Sequence, residues 1–194
     1  LAQTPINDLG PGLYLNQYQG GLYEGGLNTA PVAHHIAGLA QAALVTPING
    51  KIVLLSGGMS NTTLEFCNES NLPCTPESFI GQMAVASGVN PEVVAVNGAQ
   101  GGMGIEDWTN PKTKVYGEVG GRLKKQGLTV SQVRVVWVKH ALETSMTCVS
   151  LPTAGNDSDL LATKLAELVR RLKVEYPNLI QVFITSRSWS YSLK

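Results

Sequence analysis

The chain has 194 residues, of which 43% are apolar and only 14% charged, against roughly 25% charged in ordinary globular proteins. Fourteen basic and fourteen acidic residues cancel to a formal charge of zero, which leaves no cationic stripe for nucleic acid or an anionic membrane. This length makes one domain with a sizeable core, and no apolar run approaches the ~20 residues of a membrane-spanning helix.

The first residue is Leu1 rather than Met, so an upstream segment is expected to have been removed or left out. Residues 1–28 carry Gly-Leu-Tyr at 12–14 and again at 21–23 among many glycines. They read as an irregular or strand-like arm laid over the domain, since tyrosines combine a buried ring with a wet hydroxyl. Residues 29–194 then form a single α/β domain. Its first helix starts at Pro31, a favoured first position, with Ile36, Leu39, Ala40, Ala43 and Leu44 on one face. His34 and His35 in its first turns read as surface or boundary residues.

The stretch Lys51-Ile-Val-Leu-Leu-Ser-Gly-Gly-Met-Ser-Asn-Thr-Thr63 is the one around which the rest of the domain is organised. An unbroken apolar run from Ile52 to Leu55 suits a strand covered on both faces, as in a parallel sheet. A turn on Gly57 and Gly58 then delivers Ser60 to the start of a helix. Such a turn permits close approach of another backbone, and the helix N–H groups favour negative charge.

Cys67 and Cys74 flank Asn-Glu-Ser-Asn-Leu-Pro, a turn-rich loop suited to a local disulfide and hence to an oxidising compartment. Neither neighbours a His at metal-ligand spacing, so no zinc and no other metal or cofactor is expected. Cys148 is left over, either free or paired outside the chain. Sequons at Asn61, Asn68 and Asn156 are open to glycosylation in a eukaryotic secretory pathway, although Asn also serves turns and helix caps.

Thr75-Pro76 supplies a cap and first position for a helix to Gly88, with Phe79, Ile80, Met83 and Ala84 inward. Glu92 to Val96 is the second strand. It ends in Asn97-Gly-Ala-Gln-Gly-Gly-Met-Gly104, with four glycines in eight residues, which either turns the chain tightly or lets backbone approach a ligand. Asp107 comes next, able to cap a helix or touch substrate. Val115, Val119 and Leu123 mark a helix stopped by Gly127. Val133 to Val138 is a third buried strand, with Lys139 and His140 at its exit. The loop 141–156 is a candidate rim. Leu161, Leu165, Leu168 and Leu172 define a helix from Ser158 to Tyr176, stopped by Pro177. A fourth strand, Leu179 to Ile184, leads to Ser186-Arg187-Ser188-Trp189.

Regular alternation predicts a three-layer α/β/α sandwich, flavodoxin-like, with a mainly parallel sheet and right-handed crossovers. Ser60, Gly101-Gly102, Lys139-His140 and Arg187 all fall at strand C-terminal ends, where open sheets of this kind bind ligands.

A strand running into Gly-x-Ser before a helix, then a strand ending in Asn-x-x-x-x-Gly with a downstream Asp, resembles the first two sequence blocks of the SGNH, or GDSL-type, hydrolases. The likeness is greatest to a divergent bacterial branch with Gly-Met-Ser-Asn-Thr-Thr and Asn/Asp-Gly-Ala-Gln-Gly-Gly stretches. It covers most of residues 50–190 in order of elements, with few exact motif matches. The resemblance implies a sheet ordered 2-1-3-4, Ser60 as nucleophile, and an oxyanion and substrate-binding group of Gly58, Gly102, Lys139 and Asp107. The chain departs from the family pattern in three places. No Asp precedes the serine, the third block reads Val135-Val-Trp-Val-Lys-His-Ala141 without Asn, and no Asp-x-x-His lies near the C-terminus. A serine without a base is a weak nucleophile. The base is therefore His140, or it lies beyond Lys194 in a longer chain, or it is absent.

Three functional readings are compatible with these residues. One is a secreted or periplasmic serine esterase acting on a small-molecule or glycan ester. The second is a non-catalytic relative binding glycan or another ligand in the same cleft. The third is an extracellular assembly protein that self-associates through the arm 1–28. Against them stands the plain alternative that Ser60 only caps a helix and Gly101-Gly102 only turn the chain.

Overall fold

The computed structural model describes residues 4, 7–14, 16, 18–68, 72–142 and 156–185. The rim loop beyond Leu142, Cys148, the Ser186–Trp189 stretch and the side chain of Asn156 lie outside the described residues. The chain divides into two compact units, the first covering residues 1–44 and the second 45–187.

In the first unit, β1 (Leu13–Tyr14) pairs antiparallel with β2 (Tyr18–Gln19). Helix α1 (Val32–Ala42) begins directly after Pro31. Its apolar stripe is largely exposed. Ile36, Leu39 and Leu44 are each more than half exposed, and no residue of α1 is buried.

The second unit alternates strand and helix. In chain order its elements are β3 (Ile52–Gly58), α2 (Ser60–Phe66), α3 (Phe79–Val85), β4 (Val93–Val96), α4 (Ile105–Thr109), α5 (Val115–Lys125), β5 (Val133–Lys139), α6 (Asn156–Glu175) and β6 (Gln181–Ile184). Its four strands are all parallel and ordered β4-β3-β5-β6. This is the 2-1-3-4 order, in an α/β architecture of the flavodoxin-like, three-layer kind. Register sets Ile52 opposite Val93 and Gly58 opposite Lys139, so the C-terminal ends of β3 and β5 finish level.

Because strand side chains alternate between faces, β3 and β5 feed two separate layers. Val53, Leu55, Val136 and Val138 join one buried cluster with Ile105 and Trp108 of α4, Val115, Val119 and Leu123 of α5, and Leu168 and Leu172 of α6. The i, i+4 spacing on α5 and α6 is what turns those residues to one side. On the other face, Trp137 stacks on Phe66 of α2 with ring centroids 5.6 Å apart, and Phe66 on Phe79 of α3 at 5.0 Å. Lys173 Nζ donates to the carbonyls of Pro177 and Leu179, both at 2.8 Å, satisfying acceptors just past the end of α6.

Cys67 and Cys74 are bonded at 2.04 Å, as their spacing suggests. The cap of α3 differs from expectation. Ser78, not Thr75, is its N-cap, its Oγ accepting from the Gly81 N–H at 3.2 Å, while Thr75 offers its carbonyl to the Ser78 hydroxyl at 2.7 Å. Among the described residues no helix is long and apolar enough to cross a membrane, and no three His, Cys, Asp or Glu side chains gather as metal ligands.

Candidate functional site

The site is built where β3, β4 and β5 end. Gly58 closes β3 under unusual crowding. A Cβ there would lie 2.3 Å from Thr62 Oγ1 and 2.5 Å from the Lys139 carbonyl oxygen, so no side chain fits. Those same two atoms are hydrogen-bonded, Thr62 Oγ1 donating to Lys139 O at 2.9 Å. The first turn of α2 is thereby tied to the end of β5, and Ser60, its first residue, is left exposed.

The loop after β4 is fastened from several sides. Ser56 Oγ donates to Asn97 Oδ1 at 2.8 Å and accepts from the Gly98 N–H at 3.1 Å. Asn97 Nδ2 donates to the Thr63 carbonyl at 3.0 Å, and the Gln100 N–H to the Gly58 carbonyl at 2.9 Å. Gln100 Nε2 donates to the Val115 carbonyl at 3.0 Å. Gly101 and Gly102 are then the central residues of a turn closed by the Met103 N–H on the Gln100 carbonyl at 3.4 Å. Gly102 has φ +73°, which a residue with a side chain adopts only at a cost. The closing bond uses neither glycine N–H. A Cβ on Gly101 would lie 3.7 Å from Ser60 Cβ. The two loops therefore meet at one edge of the sheet, with Gly101 rather than Gly102 directly beside the serine.

Lys139 and His140 part to opposite faces, as strand alternation requires. Lys139 is 6% exposed, and its Nζ donates to both carboxylate oxygens of Glu65 on α2, at 2.6 and 2.8 Å. His140 is 4% exposed, its ring edge-on to Trp108 with centroids 5.3 Å apart. Asp107 caps α4, its Oδ2 accepting from the Gly104 N–H at 3.1 Å. Asn61 lies in the first turn of α2, and Asn68 Nδ2 donates to the Pro73 carbonyl inside the disulfide loop.

Four residues of this framework, Ser56, Glu65, Gln100 and Arg122, are not singled out by sequence reasoning. Ser56 alone leaves a trace in the sequence, as a polar residue ending an apolar run. Two hollows flank the framework. One of about 710 Å³ lies on the Trp137 face, with Leu54, Phe79, Met83, Val93, Glu65 and Glu77 among its walls. The other, about 460 Å³, lies at the β4 edge beside Asn97, Arg122 and Lys125. No protein-family model, curated protein or solved structure matches the chain.

Proposed function

We propose that the second unit is a serine ester hydrolase of SGNH type, acting outside the cytoplasm on a small-molecule or glycan ester. The observation that carries this reading is the apposition of Ser60 and Gly101 at the ends of two adjacent parallel strands. A hydroxyl and a turn whose glycine N–H groups are uncommitted among the described residues suit a nucleophile and its oxyanion donors. Ser60 Oγ attacks the acyl carbon, its proton passes to a base, and the oxyanion rests on N–H groups of Ser60 and the Gly101–Gly102 turn. Collapse expels the alcohol, which takes up the proton. Water then hydrolyses the acyl-serine to the free acid. The disulfide is compatible with secretion.

Hydrolysis of p-nitrophenyl acetate, together with labelling by a fluorophosphonate, tests the assignment. Turnover and labelling are expected in the parent and absent in Ser60→Ala. Activity that survives Ser60→Ala removes the nucleophile assignment. Within an active parent, His140→Ala decides the base. Loss assigns it to His140, and retention excludes His140.

A second reading, a ligand-binding protein without chemistry, is favoured by the state of the two β5-exit residues. Lys139 is engaged by Glu65 and His140 is enclosed against Trp108. The hollow carrying Trp137, Phe79, Glu65 and Glu77 joins aromatic faces to carboxylates, a combination that suits a sugar. An inert parent that binds soluble oligosaccharides would support it.

A further inference from the structure

We infer that Arg122 is a positioning residue, a clamp on α5 that fixes the peptide planes of the Asn97–Gly102 loop and so aims the Gly101 and Gly102 N–H groups at Ser60. Arg122 Nη1 donates to the Asn97 carbonyl at 2.9 Å and to the Ala99 carbonyl at 2.8 Å. Each of those carbonyls belongs to a peptide whose N–H is held from the other side. The Gly98 N–H, across the peptide from Asn97 O, donates to Ser56 Oγ at 3.1 Å. The Gln100 N–H, across from Ala99 O, donates to Gly58 O at 2.9 Å.

In a trans peptide the C=O and N–H point in opposite directions in one plane, so a plane held at both ends cannot rotate without breaking a bond. Two alternate planes of the loop are fixed this way, and one guanidinium nitrogen holds the outer end of both. Val115, seven residues earlier on α5 and about 10 Å along the helix axis, takes the Gln100 side chain. The loop is thus seated along one helix, and the turn at Gly101–Gly102 inherits its direction.

Arg suits the task because its charge strengthens bonds to carbonyl oxygens and persists when the group is half-buried. Burial lowers its pKa, with the carboxylate of Glu118 acting the other way. Donors placed before the reaction need no reorganisation when charge develops on the substrate oxygen.

The catalytic consequence rests on the serine hydrolase reading, whereas the clamp itself does not, and the test separates them. Amide hydrogen exchange is measured on the parent, Arg122→Met and Arg122→Lys, beside p-nitrophenyl acetate kinetics. In Arg122→Met, the hydrogen-bonded amides of residues 98–100 should exchange about tenfold faster or more, while those of β3 and β5 keep their protection. In the same variant kcat should fall about tenfold or more with KM within about twofold, the signature of lost transition-state stabilisation. Arg122→Lys should recover part of both effects, since it keeps the cation without the planar fork.

Unchanged loop exchange in Arg122→Met overturns the clamp. So does loss of protection throughout the unit, which would make Arg122 a support of the whole fold. Faster loop exchange with an undiminished kcat overturns the aiming of the donors. An inert parent with faster loop exchange upholds the clamp and rejects the hydrolase reading on which its catalytic role depends.

Discussion

Gly58 shows how little room the site leaves at the level of a single atom. Its α-carbon lies under the Thr62–Lys139 hydrogen bond, and a methyl group would overlap both bonded atoms. One of them is backbone and cannot swing away. Gly58→Ala is therefore expected to lower stability by about 1–3 kcal/mol, partly through loss of the α2–β5 tie. A midpoint of chemical denaturation equal to the parent's would show that the strand end relaxes freely. Gly101 and Gly102 were legible as a turn because turn chemistry is local, whereas Gly57 and Gly58, expected to turn the chain, extend β3 to its end instead. Ser56 left only a trace, as a polar residue ending an apolar run, and Glu65 and Arg122 left none. Their partners lie 41, 74 and 25 residues away, and nothing in the local pattern announces such distant contacts. Asp107 was legible as either a cap or a ligand contact, and the Gly104 N–H takes its carboxylate.

At the level of elements, the disulfide joins the end of α2 to the segment that leads into α3. Its two cysteines are seven positions apart, so cross-linking removes only a short loop's freedom from the unfolded chain, worth about 2.5 kcal/mol on a chain-entropy estimate. The Cys67→Ser, Cys74→Ser double variant should lose stability of that order while keeping the parallel sheet. A change below about 0.5 kcal/mol in urea midpoint analysis would mean that the loop stays closed without the bond. This element was readable from cysteine spacing. The cap of α3 was not, because Thr75-Pro76 and Ser78 make equally good starts three residues apart. What decides between them is the Ser78 hydroxyl accepting from Gly81. The apolar stripe of α1 was legible only as a stripe. Helical spacing of apolar residues shows that a stripe exists, not that anything covers it.

At the scale of the 45–187 unit, the alternation of strand and helix made the architecture readable, because parallel strands need crossovers and crossovers have one hand. The helical layer over one sheet face also carries a testable dependence on pH. Tyr116 on α5 and Tyr176, just past α6, lie with ring centroids 6.3 Å apart beside the core. Burial raises both phenol pKa values above the ordinary 10.0. For Tyr116 the neighbouring Arg171 partly opposes the shift, and for Tyr176 the charge of Tyr116 adds to it. Below about pH 10 folded and unfolded chains both keep these protons, so the two tyrosines leave stability unchanged with pH. Above it the unfolded chain releases protons that the folded one retains, and stability falls by about 1.4 kcal/mol per pH unit for each tyrosine until its folded pKa is reached. Tyr176→Phe isolates one of them. The Tyr176 hydroxyl is buried with no hydrogen-bond partner among the described residues, so its removal should cost little at pH 7, where Tyr116→Phe would break a 2.5 Å bond to the Trp108 carbonyl. Urea unfolding of the parent and Tyr176→Phe should then give stabilities that run parallel up to about pH 9.5 and separate above it, the variant declining less steeply by about 1.4 kcal/mol per unit. Curves that stay parallel to about pH 11 would mean that water reaches the Tyr176 hydroxyl in the folded protein, and that the layer over this face is looser than its packing implies.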